Sequence, residues 1–402
     1  MRLLYLVDHW PGLFEAYLLR ELQWMRQRGH SVAVLSLGLG GAHGFRNETR
    51  DHVDLAEFGL DDVPVLQLDS KNMDSERVVH ESLSFIDKYD VELIDAHLAR
   101  EPAEAACRVH LASGIPFAVR MRGGDVHSNT SPMLGEIVRH ASAVCPMSQF
   151  LADVLIGERT LTVKPQGLPV RVVSGKLHVI PNSLPEKYLS ARPVAQSNRE
   201  QVVGAVGRLV PIKRFPDLIA AVARLVPDFP GLRLKIVGGG VLFTELQALS
   251  FRLGITDRVE ITGFKRWRSV MALLQRFHIY VQTSELEGCS LANIEAAFHG
   301  IPLVLSRTGA NEQCVGPEGN GALFDPGDIS ALSEILRTML LAGARKREHM
   351  GNASLQIAGT RFSAEKILPR LETVFQNVID DSKPWKISFS ASTGVSGGSF
   401  ND

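Results

Sequence analysis

Short apolar runs alternating with amphipathic stretches set the pattern of this chain. Residues 3–7 (Leu-Leu-Tyr-Leu-Val) read as a buried strand. A turn-rich stretch over 8–14 follows, and residues 15–28 then place Leu18, Leu22 and Met25 on one face at helical spacing. Gly29 closes that helix, since glycine suits the left-handed residue after a helix end. The next strand spans 32–37, and the rhythm returns at 91–96, 117–121 and 143–146, each followed by a helical stretch. Apolar strands alternating with helices predict a parallel sheet covered on both faces.

The pattern breaks after residues 181–185 (Pro-Asn-Ser-Leu-Pro), and the polar, aperiodic stretch 191–199 reads as a linker. A second alternation then runs through 202–206, 232–237, 259–261, 279–282 and 303–305. The chain therefore reads as an α/β protein of two doubly wound, Rossmann-like domains, 1–190 and 200–362. A last helix over roughly 364–378 lies in a segment 363–382, and the tail 383–402, rich in Ser and Gly from Ser388 on, reads as disordered. A length of 402 residues suits two cores. Open sheets of this kind bind ligands at the carboxyl ends of their strands, where strand order reverses, so the cleft between the domains is the expected site.

Composition removes several function classes. A net charge of −1 offers no basic excess for nucleic acid. Cys107, Cys145, Cys289 and Cys314 are dispersed and read as free thiols in a reducing compartment. The apolar N-terminal run is too short for a signal peptide and no window is long enough for a membrane span, so a cytoplasmic protein is expected, with the inner face of a membrane as a further setting. There is no Asp-x-Asp and no His/Glu/Asp grouping with metal spacing, so no metal is expected.

The chemistry concentrates in the second half. The strand at 279–282 runs into Glu287-Gly-Cys-Ser-Leu-Ala-Asn-Ile-Glu295. Gly288 permits a tight turn, Ser290 is a good N-cap, and a helix from Leu291 to His299 is closed by Gly300 and Pro302. The N–H groups near Cys289, Ser290 and Leu291 would then face an anion, and Glu295, more than a turn on, would reach a diol beyond it. A capped surface helix is the competing reading. The strand at 202–206 ends in Gly207, with Arg208 and Lys213 following, two cations suited to a diphosphate, against the reading of a solvated basic loop. Val237-Gly-Gly-Gly240 lacks a dinucleotide fingerprint, yet Gly239 admits close approach, and Gly263 and Phe264 would hold a base through main-chain groups.

Together, Gly207-Arg-Leu, Lys213, Val237 to Gly240, Thr262-Gly-Phe264, Glu287-Gly to Glu295-Ala-Ala and Gly300-Ile-Pro302 resemble the family 4 glycosyltransferases, GT-B enzymes that retain anomeric configuration. The resemblance extends over about residues 3–378. It implies a nucleotide-diphosphate sugar as co-substrate with no other cofactor, Arg208 and Lys213 on the diphosphate, Glu287 on the sugar, Glu295 on the ribose, and a last helix crossing back to the first domain. In the first half, residues 14–21, Arg28-Gly-His30 and Asp95-Ala-His97 resemble the branch that builds exopolysaccharide and lipopolysaccharide, and Asp125 in Arg122-Gly-Gly-Asp-Val-His127 matches the family pattern.

Two positions depart from it. Arg122 stands where the family has His, and a guanidinium cannot exchange protons near neutral pH. Pro181-Asn-Ser-Leu184 stands where the family has Gly and then an acid. His97, at a strand end, is a candidate to face the acceptor. The glycine-dense stretch 38–44 suggests a mobile loop over the cleft, and Arg20, Trp24, Arg26 and Arg28 suggest either a solvated helix face or a contact with a membrane or anionic acceptor. The reading is a retaining transferase that passes a sugar to a hydroxyl of a saccharide, a lipid-linked glycan or a small molecule. An epimerase or hydrolase of nucleotide sugars, and a nucleotide-sugar binder without catalysis, remain as alternatives.

Overall fold

The computed structural model describes residues 1–11, 16–38, 55–69, 74–123, 131–159, 170, 172–173, 175–189 and 201–382. Asp125, most of the glycine-dense stretch, the linker at 191–199 and the tail at 383–402 lie outside these residues. Six strands form the first sheet: β1 (Arg2–Val7), β2 (Ser31–Ser36), β3 (Val65–Gln67), β4 (Leu93–His97), β5 (Phe117–Met121) and β6 (Ala143–Pro146). They are parallel and ordered β3-β2-β1-β4-β5-β6, with Leu4 in register with Ala33 on one side and Ile94 on the other. The second sheet repeats the design with β7 (Gln201–Val206), β8 (Leu232–Val237), β9 (Val259–Ile261), β10 (Ile279–Gln282), β11 (Leu303–Ser306) and β12 (Gly321–Phe324), in the order β12-β11-β10-β7-β8-β9. Strand order reverses between β1 and β4 in one sheet and between β7 and β10 in the other.

Strands β1, β4 and β10 at the centre of the sheets are buried almost throughout and mostly apolar, as parallel sheets under helices require. Two of the four edge strands, one in each sheet, escape the sequence pattern. β3 is three residues long with both ends exposed, and β12 opens on a glycine and is only partly buried until Phe324.

The C-terminal helix Ala364–Asp381 buries Ile367, Leu368, Leu371, Val374, Phe375 and Val378 at helical spacing. These side chains join Tyr5, Leu18 and Leu22 in one apolar cluster, so the last helix of the chain completes the core beneath its first sheet. Its entry is bonded to the end of the first domain. Leu184 N donates to Phe362 O at 3.0 Å, Ala364 N donates to Leu184 O at 2.8 Å, and Ser363 Oγ lies 2.8 Å from the Glu186 carboxylate. Among the described residues no helix is long and apolar enough to cross a membrane.

Leu371 is fully buried in that cluster. Replacing it with Ala removes buried methyl groups and leaves a cavity, so Leu371→Ala should lower the unfolding free energy by about 2–5 kcal/mol. Urea unfolding would measure this; an unchanged midpoint would contradict the role given to the helix.

Candidate active site

Three loops at the carboxyl ends of β7, β8 and β9 are joined by main-chain hydrogen bonds. Gly207 N donates to Val237 O (3.0 Å), Leu209 N to Gly239 O (2.9 Å) and Gly238 N to Gly263 O (3.1 Å). The approach is so close that a Cβ on Gly238 would lie 1.8 Å from Gly207 O. Phe264 follows, 40% exposed, with its main-chain N in van der Waals range of a side chain at Gly239. Gly207, Gly239, Gly263 and Phe264 therefore come together, and Arg208 stands exposed beside them.

The loops after β7 and β10 meet at the reversal of strand order. Thr283 Oγ1 shares its proton between Lys213 O (2.8 Å) and Arg214 O (3.0 Å), and Glu285 N donates to Ile212 O at 2.8 Å. These bonds bring Lys213 against Glu287, 74 residues on, in an ion pair between Lys213 Nζ and Glu287 Oε1. Ser284 Oγ donates to the same carboxylate oxygen at 2.7 Å. The main chain of Glu287 is fixed as well. Ala310 N donates to its carbonyl at 3.1 Å, and Gly309, at a φ of 55°, leaves room that a Cβ would close to 1.6 Å.

Gly288, Cys289 and Ser290 then lead into the helix Leu291–Phe298. Ser290 holds the N-cap position, but its side chain does not cap. Its hydroxyl accepts from Gln282 Nε2 at 2.9 Å and makes no bond to the helix's first N–H groups, which corrects the expected capping bond. That bond belongs to a buried polar network that the sequence did not announce. Asn293 Nδ2 donates to Gln282 Oε1 (2.9 Å) and Asn311 Oδ1 (2.8 Å), and Asn311 Nδ2 donates to Ser306 O (2.9 Å). Its members come from four separate elements, so no local spacing reveals them. Burial pushes the Cys289 thiol up to about 12, which leaves it protonated and unreactive near neutral pH.

Glu295 is buried, and Trp267 Nε1 donates to its Oε1 at 2.8 Å. Across the same indole lies Arg20 of the first domain's helix Ala16–Gln27, its guanidinium 4.3 Å from the ring centroid. Burial raises the Glu295 carboxyl to about 7, against the opposing pull of Arg20 and of the indole hydrogen bond.

The first domain meets this loop directly. Arg122 stacks on Tyr17 at 3.6 Å and its Nη1 donates to Asn182 Oδ1 at 3.4 Å, while Asn182 Nδ2 donates to Cys289 O at 2.8 Å. A Cβ on Gly288 would lie 2.6 Å from Gly123 N, so the two backbones touch.

His97 does not face an open acceptor space. It is 1% exposed and its Nε2 bonds Asp95 Oδ2 at 2.9 Å. Arg120 forks onto Glu21 at 3.1 and 3.2 Å and lies 3.5 Å from Asp95. Burial alone would raise the Asp95 carboxyl, but His97 and Arg120 outweigh it and hold it below its usual range. Ligand atoms of Glu21, Asp95 and His97 lie within 4.8 Å of one another, a grouping hidden from sequence spacing, and Arg120 already supplies its cation. The arginines of the first helix are also committed. Arg26 pairs with Asp62 and Arg28 with Glu372 (3.2 Å) while keeping solvent exposure, whereas Arg20 is buried and so does not belong to the expected solvated face.

The Glu295 environment fixes the sign of a pH effect. Between its ordinary value of 4.5 and about 7 the folded chain keeps a proton that the unfolded chain releases, so this group favours unfolding increasingly as pH rises through that window. Glu295→Gln should therefore gain stability relative to the natural protein from about pH 5 to about pH 7. Thermal unfolding midpoints that stay parallel across that range would contradict it.

Residues 190–356 match the family model described as Glycosyl transferases group 1. The chain is 22% identical over 374 residues to N-acetyl-alpha-D-glucosaminyl L-malate synthase of Bacillus anthracis, spanning 90% of this chain and 93% of that protein. It is 30% identical over 205 residues to MMP alpha-(1->4)-mannosyltransferase of Mycolicibacterium hassiacum, spanning 51% of this chain and 49% of the relative. A match to the Vi polysaccharide biosynthesis protein VipC/TviE of Salmonella typhi, 26% identical, spans 39% of this chain and 27% of the relative. Among solved structures, a glycosyltransferase of Rickettsia africae superposes with a TM-score of 0.75 at 14% identity, over 94% of this chain and 98% of that one. HepE of Anabaena in complex with UDP does so with a TM-score of 0.72 at 20% identity, over 94% and 100%. The structural likenesses establish the fold, two Rossmann-like domains in the GT-B arrangement. The chain is a glycosyltransferase, and its residues 190–356 match the group 1 glycosyltransferases.

Proposed function

We propose that this glycosyltransferase moves a sugar from a nucleotide-diphosphate donor to a hydroxyl acceptor with retention of anomeric configuration. The observation that carries the reading is the Lys213–Glu287 ion pair at the reversal of strand order in the second domain, directly before the N-terminus of the helix Leu291–Phe298. In this reading Lys213, Arg208 and the main-chain N–H groups of Cys289, Ser290 and Leu291 hold the diphosphate, which leaves as an anion. Glu287 accepts from hydroxyls of the sugar, Glu295 accepts from the ribose, and Gly239, Gly263 and Phe264 line the base.

The bond between the anomeric carbon and the diphosphate oxygen breaks as the acceptor oxygen bonds to that carbon from the same face. The acceptor's proton passes to the departing phosphate oxygen. Lys213 and Arg208 stabilise the charge that develops on the leaving group. Arg122, fixed on Tyr17 beside Asn182, adds a cation at the seam of the domains and takes no part in proton transfer. Relatives named for transfer to L-malate and for Vi polysaccharide support a hydroxyl acceptor on a small acid or a cell-surface glycan.

A thermal-shift screen of nucleoside diphosphates and nucleotide sugars should raise the melting temperature with one base in preference to others, because specific ligands stabilise the native state by mass action. No shift with any of them would overturn the donor. Lys213→Ala should lower turnover by about two or more powers of ten while the protein stays folded, as for other charge-stabilising donors. Its melting temperature is measured alongside, and unchanged turnover in folded protein would remove Lys213 from the mechanism. Free sugar released without any acceptor would identify a hydrolase instead.

A further inference from the structure

Arg20 is 6% exposed, and its Nη1 and Nη2 have no hydrogen-bond partner. A guanidinium carries five donors and no acceptor, and burying such donors unused is costly. Its surroundings are specific. The guanidinium covers the face of Trp267 at 4.3 Å, Tyr188 packs edge-on against that indole at 5.2 Å, and the indole N–H donates to Glu295. Arg20 and Glu295 attract each other without a direct hydrogen bond between them. The other acids near Arg20 are already engaged. Glu21 is forked by Arg120, and Glu365 accepts from Glu186 N and lies beside Ser363 Oγ. A cavity of about 180 Å³ opens against Arg20 between the first helix, residues 181–187 and the start of the C-terminal helix, giving the side chain room to turn.

A carboxylate and a guanidinium on either side of one indole match a vicinal diol. Each hydroxyl donates a proton, which the carboxylate accepts, and offers oxygen lone pairs, which the guanidinium fills. We propose that Arg20, from the first domain, is a donor-binding residue whose guanidinium donates to the ribose hydroxyls held by Glu295. The proposal rests on the donor reading above and goes beyond it, because no motif of the second domain contains this residue. Binding exchanges the Trp267 N–H at Glu295 for a hydroxyl and gives Arg20's idle donors their acceptors. Because Arg20 and Glu295 belong to different domains, the ribose then links the two halves of the protein.

The test is titration calorimetry on the full chain with UDP, GDP and ADP and with their 2′-deoxy counterparts, for the natural protein, Arg20→Gln and Arg20→Lys. The natural protein should favour the ribonucleotide. Arg20→Gln should weaken the preferred ribonucleotide about tenfold, the loss of one charge-assisted hydrogen bond, and weaken the 2′-deoxy form, which keeps only the 3′-hydroxyl, by clearly less. Arg20→Lys, which keeps the charge, should fall between them and serves if the Gln variant does not fold. Equal affinity in variant and natural protein overturns the proposal and leaves the donor reading standing. Equal losses for ribo- and deoxynucleotides also overturn it, since a clasp between the domains or a phosphate contact would act on both. If the natural protein binds none of the diphosphates, both readings fall.

Discussion

The structure of the second domain turns on one ion pair, Lys213 with Glu287, held where β7 and β10 lie side by side. Neither charge is placed by its own loop alone. The Thr283 hydroxyl and Glu285 N bind the loop after β7 to the loop after β10, while Ser284 bonds the Glu287 carboxylate and the Gly309–Ala310 turn holds its main-chain carbonyl. A half-buried pair of this kind is sensitive to loss of one member, because the remaining charge keeps its desolvation cost without its partner. The same pair stands in front of a helix N-terminus, so a ligand carrying both phosphate and hydroxyls meets a cation, a carboxylate and main-chain donors together.

The domains share an apolar cluster and, among the described residues, several polar contacts. Arg122, Asn182 and the Cys289 carbonyl form one chain of contacts, Gly123 against Gly288 a second, and Arg20 over Trp267 a third. Each involves an element that also borders the candidate site. Such contacts are readily exchanged for ligand contacts, since a hydrogen bond between domains and one to a ligand differ little in net free energy. The apolar closure of the C-terminal helix under the first sheet is of another kind, because its side chains are buried in a common core.

How much of this was legible in the sequence follows from which features are local. Ten of the twelve strands, among them the edge strands β6 and β9, show in the sequence pattern, whereas the edge strands β3 and β12 do not. The run from Glu287 to Glu295 was legible because a strand end, a glycine and a helix start are all short-range signals. Residue type, however, does not reveal burial. Chemistry alone makes His97 a candidate to face the acceptor and Arg20 a member of a solvated or membrane-facing helix face, yet both are inside, one in a charged network with Arg120 and the other against Trp267. The bond from Gln282 to Ser290 and the Asn293–Asn311 pair depend on strands and helices meeting in space, which no spacing encodes.

The most direct measurement of the central claim is a crystal structure of the full chain with its preferred nucleoside diphosphate. The account predicts diphosphate oxygens within hydrogen-bond distance of Lys213 Nζ and of the main-chain N–H groups at Cys289 to Leu291, with the ribose at Glu295. A nucleotide lying elsewhere, on the first domain or in the cavity beside the C-terminal helix, would contradict it.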